Sequence, residues 1–138
     1  MTNEITVPAT TANIAVVNDF VENQLLSLQC PVHIQIQLKI AIDELFGNIA
    51  RYAYRPHEGP ATVRVDVVED PLRVILTFID KGVPYDPLST ADPDIHLPAS
   101  QRPIGGLGIF MVRKTMDDIS YEYKDGQNIL TVLKNVRP

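Results

Sequence analysis

The stretch that most constrains the fold is residues 38–54, which read LKIAIDELFGNIARYAY. Its apolar residues recur every three or four positions, which places them on one face of an amphipathic helix: Leu38, Ala41, Ile42, Leu45, Phe46, Ile49 and Ala53. Glu44 and Asn48 stand four residues apart, so they are neighbours along one edge of that face. Polar groups beside a buried stripe need partners. The pattern therefore predicts a helix whose carboxylate and carboxamide line the floor of a pocket.

Length and charge limit the classes of protein to which the chain can belong. It has 138 residues, 45% of them hydrophobic, which is enough to bury a core, and we predict one domain over residues 1–138. The net charge of -5 argues against direct contact with nucleic acid, because phosphate-backbone binding needs a basic surface. A small anionic ligand stays open, since it needs only a few local donors or a metal.

Neither cysteine nor histidine predicts a metal site. Cys30 is the only cysteine, so a cysteine-based metal site is excluded. The three histidines show no metal-ligand spacing, and we expect all three at the surface: His33, His57 and His96. No apolar run approaches the ~20 residues of a membrane-spanning helix, and the N-terminus lacks the pattern of a signal peptide. We therefore expect a cytoplasmic protein that does not contact a membrane.

The other periodicities predict an α+β fold. Strand, helix, helix, two strands, loop, helix and two strands follow one another over residues 4–7, 12–28, 32–54, 63–67, 72–79, 80–102, 104–116, 119–123 and 129–133. The loop at residues 80–102 is rich in proline and has no period, which is typical of a functional lid or a disordered insert. We expect a two-layer sandwich in which a mixed, mostly antiparallel sheet is covered on one face by helices.

A second candidate group follows the more buried of the two central strands. Asp80 stands just past the predicted end of that strand, where its carboxylate can accept hydrogen bonds from an exocyclic amine. Gly82 has no side chain, so the backbone there can approach a flat ring closely. The same Asp-x-Gly pattern is also common in turns that end strands. Both interpretations stay open on these residues alone.

A third candidate group is rich in glycine and precedes the last predicted helix: Gly105, Gly106, Leu107 and Gly108. Glycines at a helix N-terminus expose backbone N–H groups, which together with the helix dipole favour a bound anion such as phosphate. The alternative is a flexible hinge. The spacing matches neither the P-loop nor the G-x-G-x-x-G dinucleotide motif. A nucleotide site here would therefore be of neither the Walker nor the Rossmann type.

Taken in order, the three groups resemble a known family. The segments DELFGNIARYAY, FIDKGVPYDP, GGLGIFMVRKTMDDISYEY and GQNILTVLK are similar to the ATP-binding fold shared by gyrase, heat-shock chaperone, histidine kinase and mismatch-repair ATPases. Within that superfamily they most resemble the stand-alone anti-sigma-factor serine/threonine kinases of bacteria. The resemblance covers nearly the whole chain from the first predicted helix onward, and it implies the histidine-kinase-type ATPase fold.

The resemblance also implies roles for the candidate residues of the first two groups. Asn48 would be the ligand of a Mg²⁺ ion that tethers the triphosphate of ATP, and Glu44 would be the general base near the attacking hydroxyl. Asp80 would accept the adenine amino group, with Gly82 beside the base. Gly47 departs from the family, which often has threonine or another small residue just before the asparagine.

The phosphates fall, by the same resemblance, to the glycine-rich group: Gly105, Gly106, Leu107 and Gly108. These residues would wrap the phosphates as part of the lid. Independently of the resemblance, we predict that the proline-rich, aperiodic segment at residues 87–103, which runs into the glycine-rich group, is mobile without nucleotide. Arg102 is the only arginine near the group, and it would reach the terminal phosphate. It stands a little earlier in the chain than the corresponding arginine of the family, so phosphoryl transfer is less firmly implied than nucleotide binding.

By resemblance, we expect an ATP-dependent protein serine/threonine kinase that phosphorylates an anti-sigma-factor antagonist and can hold a sigma factor inactive. ATP and Mg²⁺ are the implied cofactors, and the edge of the first strand offers a route to a homodimer. Two alternatives stay open. One is a nucleotide-sensing module that sequesters a regulatory partner without phosphoryl transfer. The other is the ATPase domain of a two-component system, although the sequence contains no recognisable phosphoacceptor histidine segment.

Overall fold

The computed structural model describes residues 2–89 and 106–136, and it describes side chains over residues 3–89 and 108–136. Two predicted site residues, Arg102 and Gly105, lie outside the described residues, as does His96. Most of the predicted lid at residues 87–103 lies outside them as well.

Five strands of residues 2–89 and 106–136 form one antiparallel sheet. They are β1 (Thr2–Pro8), β2 (Pro60–Val68), β3 (Arg73–Asp80), β4 (Asp118–Lys124) and β5 (Gln127–Asn135). Their spatial order is β1-β2-β3-β5-β4, so β3 is central and β1 and β4 are the edges. The predicted α+β class is confirmed. The sheet was expected to be mixed, but every pairing among the described strands is antiparallel.

Alternation of side chains along the strands explains why these segments pair. In β2 every second residue is buried, with Ala61, Val63 and Val65 inward, and β5 repeats the pattern. The hairpin between β4 and β5 turns at Asp125 and Gly126, whose φ angles are 54° and 75°. Two consecutive positive φ angles are what a two-residue hairpin turn of type I′ requires. The predicted closing hairpin is therefore confirmed.

Three α-helices in the described part of the chain form the second layer. They are α1 (Ile14–Leu25), α2 (Val32–Asn48) and α3 (Gly106–Thr115). The central one, α2, packs against both of the others. Its Ile42 and Phe46 are almost fully buried, in the same core as Phe78 of β3. The apolar stripe that the sequence predicts along this helix is therefore the surface that joins the two layers.

The last turn of the predicted second helix is not α-helical. Residues Ile49–Ala53 form a π-helical turn that follows α2 directly, and the helical conformation ends before Arg55 as expected. Single π turns are frequently found at functional sites. Here the turn presents the Ala53 carbonyl to the segment after β3, where the Val83 amide donates to it at 3.0 Å. The end of α2 is thereby tied to the end of β3.

Two expectations concerning membranes and metals can be compared with the described ranges. No helix in them is both long and apolar enough to cross a bilayer. No group of three or more His, Cys, Asp or Glu side chains in them is arranged to hold a metal ion. His33 and His57 are exposed, as predicted, and Cys30 is a buried free thiol.

Candidate functional site

A cavity of about 410 Å³ opens where α2, the π-helical turn, β3 and β5 meet. Most of its lining is apolar, and a few polar side chains converge on it, which is the usual composition of a small-molecule site. The lining residues are Leu45, Asn48, Ile49, Tyr52, Ala53, Phe78, Asp80, Val83, Pro84, Tyr85, Pro87, Tyr121, Asn128 and Leu130. The cavity thus contains the predicted Asn48 and Asp80 and lies against the segment that carries Gly82.

Asp80 is the last residue of β3, and only 5% of its surface is exposed. Its Oδ1 atom accepts two hydrogen bonds, from the Gly82 amide at 2.8 Å and from Asn128 Nδ2 at 3.0 Å. Its Oδ2 atom accepts none within the described part of the chain. A carboxylate that lines a cavity from an otherwise buried residue, with one oxygen already satisfied, offers its second oxygen as an acceptor for a ligand donor.

Gly82 is required by close contact with the π-helical turn. A Cβ atom at this position would overlap the carbonyl group and side chain of Ala53. Because that obstacle is backbone, it has little freedom to move aside. The glycine therefore lets the segment after β3 lie against the end of α2, beside the cavity. The sequence predicted that the backbone at Gly82 can approach a flat ring closely. In the structure, the group that lies closest to Gly82 is Ala53 of the π-helical turn.

Asn128 is a site residue that was not predicted from the sequence. It lies on β5, is 6% exposed, and joins the side chain of Asp80 to the segment after β3. The signal in the sequence was its position, because it takes an inward place in a strand whose next inward residues are Leu130 and Val132. A polar residue in such a series needs buried partners.

Two tyrosines reinforce the same region. The Tyr54 hydroxyl donates to the Pro60 carbonyl at 2.5 Å and accepts from the Lys81 amide at 2.7 Å. The Tyr121 hydroxyl donates to Asn128 Oδ1. Desolvation by burial raises the pKa of both tyrosines, so both hydroxyls keep their protons at neutral pH. Neither tyrosine was predicted from the sequence to have a role in the site.

Asn48 and Glu44 lie along one edge of α2, as the spacing predicts. Asn48 lines the cavity, whereas Glu44, one turn earlier, does not. Glu44 instead places its carboxylate against α3 at Gly108, where a Cβ atom would overlap the carboxylate. Asp43 lies on the other side of α2, where its Oδ1 accepts from Asn18 Nδ2 of α1 at 2.8 Å. The structure thus brings Glu44 and the glycine-rich helix start together.

The glycine-rich group is only partly described. The helix α3 begins at Gly106, as a glycine-rich entry predicts, and Gly106, Leu107 and Gly108 form its first turn. A Cβ atom at Gly47 would lie 2.9 Å from the guanidinium of Arg51, which is the end of a flexible side chain and can move aside, so this contact does not require a glycine. Arg51 itself is exposed, in keeping with a solvated side chain.

The fold and the cavity can now be compared with known proteins. Residues 7–134 match the family profile described as the histidine kinase-like ATPase domain. The chain belongs to this family, and the resemblance inferred from the three groups of residues is confirmed.

Named relatives narrow the comparison further. Serine/threonine-protein kinase BtrW of Bordetella bronchiseptica is 29% identical over 137 residues, which is 99% of this chain and 94% of that protein. Serine-protein kinase RsbW of Bacillus cereus strain G9842 is 33% identical over 97 residues, 67% of this chain and 59% of that protein. The matched region therefore spans little more than half of RsbW.

A solved structure supports the fold. The crystal structure of the RsbU and RsbW domains of Rv1364c from Mycobacterium tuberculosis superposes with a TM-score of 0.70 at 17% identity. The match covers 100% of this chain and 33% of that one. At so low an identity the likeness establishes the architecture alone.

Proposed function

We propose that the chain is an ATP-dependent protein serine/threonine kinase that phosphorylates an anti-sigma-factor antagonist. Membership of the histidine kinase-like ATPase family supports ATP as the phosphoryl donor. The names of the relatives, which are serine or serine/threonine protein kinases, support a hydroxyl as the acceptor. We further propose a single kinase domain over residues 1–138 that acts in the cytoplasm and holds a sigma factor when it is not engaged with the antagonist.

The observation that carries the proposal is the open oxygen of Asp80. A buried carboxylate with Oδ1 satisfied and Oδ2 unpartnered within the described residues matches one exocyclic amine donor. The apolar cavity walls, which include Phe78 and Leu130, suit the faces of a purine ring. Asp80 then accepts the adenine amino group, and Gly82 keeps the adjoining backbone close.

A magnesium ion fits the residues that are present. Mg²⁺ commonly takes only one or two protein oxygens and completes its shell with waters and substrate phosphates. The carboxamide oxygen of Asn48, at the wall of the cavity, can be that single protein ligand. When bound, the ion neutralises phosphate charge, which is a main requirement of phosphoryl transfer. The sparse donor set is therefore no obstacle.

Glu44 is the proposed general base. In the transfer, the acceptor hydroxyl oxygen forms a bond to the γ-phosphorus, the bond from that phosphorus to the β–γ bridging oxygen breaks, and ADP leaves. Glu44 takes the hydroxyl proton. Its place against Gly108 in the first turn of α3 supports this role, because Gly108 belongs to the group that is proposed to wrap the phosphates: Gly105, Gly106, Leu107 and Gly108. Arg102, assigned by resemblance, completes the charge neutralisation.

A homodimer is also part of the proposal. The strand β1 is an edge of the sheet, so its outer backbone groups have no partner strand in the described part of the chain. Such an edge can pair with another copy. The N-terminal strand and α1 are therefore the proposed contact.

Transfer of labelled phosphate tests the kinase. The full chain is incubated with Mg²⁺, γ-labelled ATP and a purified antagonist encoded at the neighbouring locus. We expect acid-stable, alkali-labile label on the antagonist, as for phosphoserine or phosphothreonine. Acid-labile label on a histidine would favour the two-component alternative. Tight ATP binding without transfer to any antagonist would favour the nucleotide-sensing module.

A further inference from the structure

The side chain of Asn128 uses its full hydrogen-bonding capacity. Its Nδ2 atom donates to Asp80 Oδ1 at 3.0 Å and to the Val83 carbonyl at 2.9 Å. Its Oδ1 atom accepts from the Tyr85 amide at 3.1 Å and from the Tyr121 hydroxyl. A carboxamide has two donors and two acceptor sites, and all four are occupied. So complete a set fixes the orientation of the amide.

These four partners belong to different parts of the site. One is the carboxylate at the end of β3, two are backbone groups of the cavity wall, and one is a hydroxyl from the edge strand β4. Val83 and Tyr85 both line the cavity. Asn128 therefore holds the acceptor and the wall beside it in one arrangement.

We propose that Asn128 is a positioning residue that makes the site selective for a 6-aminopurine. It occupies Oδ1 of Asp80 together with the Gly82 amide, so that only Oδ2 is left for the base. It also fastens the wall at the Val83 carbonyl and the Tyr85 amide, which fixes the distance between that oxygen and the ring. The proposal rests on the proposed function, in which Asp80 accepts the adenine amino group.

The physical reason is the freedom of a carboxylate about its last torsion angle. This torsion is broad and roughly two-fold in aspartate, so it is set by hydrogen bonds more than by rotamer preference. Without Asn128, only the Gly82 amide would orient the group, and the wall would lose two of its attachments. The amino group of the base would then lose a fixed acceptor, whereas the apolar contacts with the ring faces would persist. Loss of Asn128 should therefore reduce the preference for a 6-amino group more than it reduces the affinity for purine nucleotides in general.

Two nucleotides separate these effects. ATP carries the 6-amino group, and purine riboside 5′-triphosphate carries hydrogen in its place. Calorimetry with Mg²⁺ gives the affinity of each for the full chain, and their ratio measures recognition of the amine. We expect wild type to favour ATP by about tenfold or more, the value of one hydrogen bond to a charged group. For Asn128→Ala we expect about 5- to 20-fold weaker ATP binding, little change for the analogue, and a ratio near one.

Matched variants control for damage to the strand. Asn135→Ala removes an exposed asparagine from the end of the same strand and should leave the ratio unchanged. Tyr121→Phe removes one of the four bonds and should lower the ratio about two- to threefold. Tyr123→Phe, on the same edge strand but exposed, should not lower it. In the Asp80→Asn background, Asn128→Ala should reduce the ratio no further, because the two residues act through one oxygen.

Each possible result either supports or overturns the proposed role of Asn128. Equal loss of both nucleotides in Asn128→Ala would mean general support of the cavity and would overturn the proposal. An unchanged ratio would overturn it as well. If Asn128→Ala does not fold, Tyr121→Phe decides, and a ratio equal to that of Tyr123→Phe overturns it. A wild-type protein that does not distinguish the two nucleotides would instead overturn the role of Asp80, which is a failure of the proposed function.

Discussion

Within the described residues, the two ends of the site differ in how completely their polar groups are paired. At the base end, formed by Asp80, Gly82 and Asn128, the two side chains share a network of hydrogen bonds of 2.8–3.1 Å. At the carboxylate end, formed by Glu44, Asn48 and Gly108, neither side chain makes a hydrogen bond to a described residue. A neutral base needs a fixed shape, so its receptor can be completed in advance. An end that handles phosphate, metal and a reacting hydroxyl needs groups left ready for them.

Glycine serves the two ends differently. At the base end, Gly82 lies against the backbone of Ala53, which cannot easily move. At the carboxylate end, Gly108 lies against the tip of the Glu44 side chain, which can rotate away. The contact of Gly82 with Ala53 is therefore rigid, whereas the contact of Gly108 with Glu44 can change. The difference agrees with one end that selects the base and another that changes when substrate binds.

The largest effect should come from the carboxylate end. We expect Glu44→Gln to slow phosphoryl transfer by roughly 10²-fold, the lower part of the range for a lost general base, because a loose transition state needs little base assistance. Its affinity for Mg·ATP should hardly change. Asn48→Ala should instead weaken Mg·ATP binding on the order of tenfold or more, since it removes the proposed metal ligand. Single-turnover kinetics and calorimetry separate the two effects.

Two exposed positions provide the controls for this pair. The control variants are Glu69→Gln and Asn23→Ala. Glu69 lies in the turn between β2 and β3, and Asn23 lies on the exposed side of α1. Neither should alter binding or transfer. If Glu44→Gln weakened nucleotide binding as much as Asn48→Ala, the division of roles at this end would be wrong.

The next effect should come from the base end. Asp80→Asn can keep its amide oxygen on the Gly82 amide and Asn128 Nδ2, so we expect the fold to persist. Its NH₂ group then takes the place of Oδ2 and meets the amino group of adenine, donor against donor. The expected loss of ATP affinity is about 1–3 kcal/mol, the penalty of an unsatisfied group. Calorimetry beside the exposed Asp118→Asn variant measures it, and unchanged affinity would remove Asp80 from the site.

The secondary structure that carries both ends of the site was predicted from the sequence. The contacts that hold the site residues in place, which join segments remote in sequence, were not. The apolar stripe of α2, the period of the strands and the Asp125–Gly126 turn are local patterns, and each is found where it was expected. The π-helical turn after α2 was not predicted, because the apolar period continues through Ala53. Whether a turn is α or π there depends on contacts with the segment after β3, which are remote in sequence.

The partners within the site were also beyond local patterns. Asp80 and Asn128 are 48 residues apart, and only the pairing of β3 with β5 brings them face to face. The position of Asn128 among inward apolar residues could have indicated a buried polar group, but its partner could not be deduced from period alone. Similarly, the spacing predicted that Glu44 and Asn48 share an edge. That Glu44 contacts Gly108 depends on how α3 packs against α2.

The smallest effect tests whether the base end depends on support from outside the cavity. Tyr54 does not line the cavity, yet its hydroxyl joins the Pro60 carbonyl to the Lys81 amide, next to Asp80. We expect Tyr54→Phe to lower the free energy of unfolding by about 1–2 kcal/mol in urea titrations, while ATP affinity changes less than in Asp80→Asn.

Burial raises the pKa of Tyr54 above its ordinary value of 10.0, and Asp80 adds to the rise against the opposing hydrogen bond from Lys81. The folded state therefore holds this proton more tightly than the unfolded state, so the associated stability is complete below pH 10 and is lost as pH rises through the raised pKa. Wild type should lose stability more steeply than Tyr54→Phe in that alkaline range, and Tyr54→Phe should keep the part of the slope that comes from Tyr121. A variant that kept full stability but lost ATP binding would place Tyr54 in the site itself, and the contrast between a preformed base end and an open carboxylate end would need a different explanation.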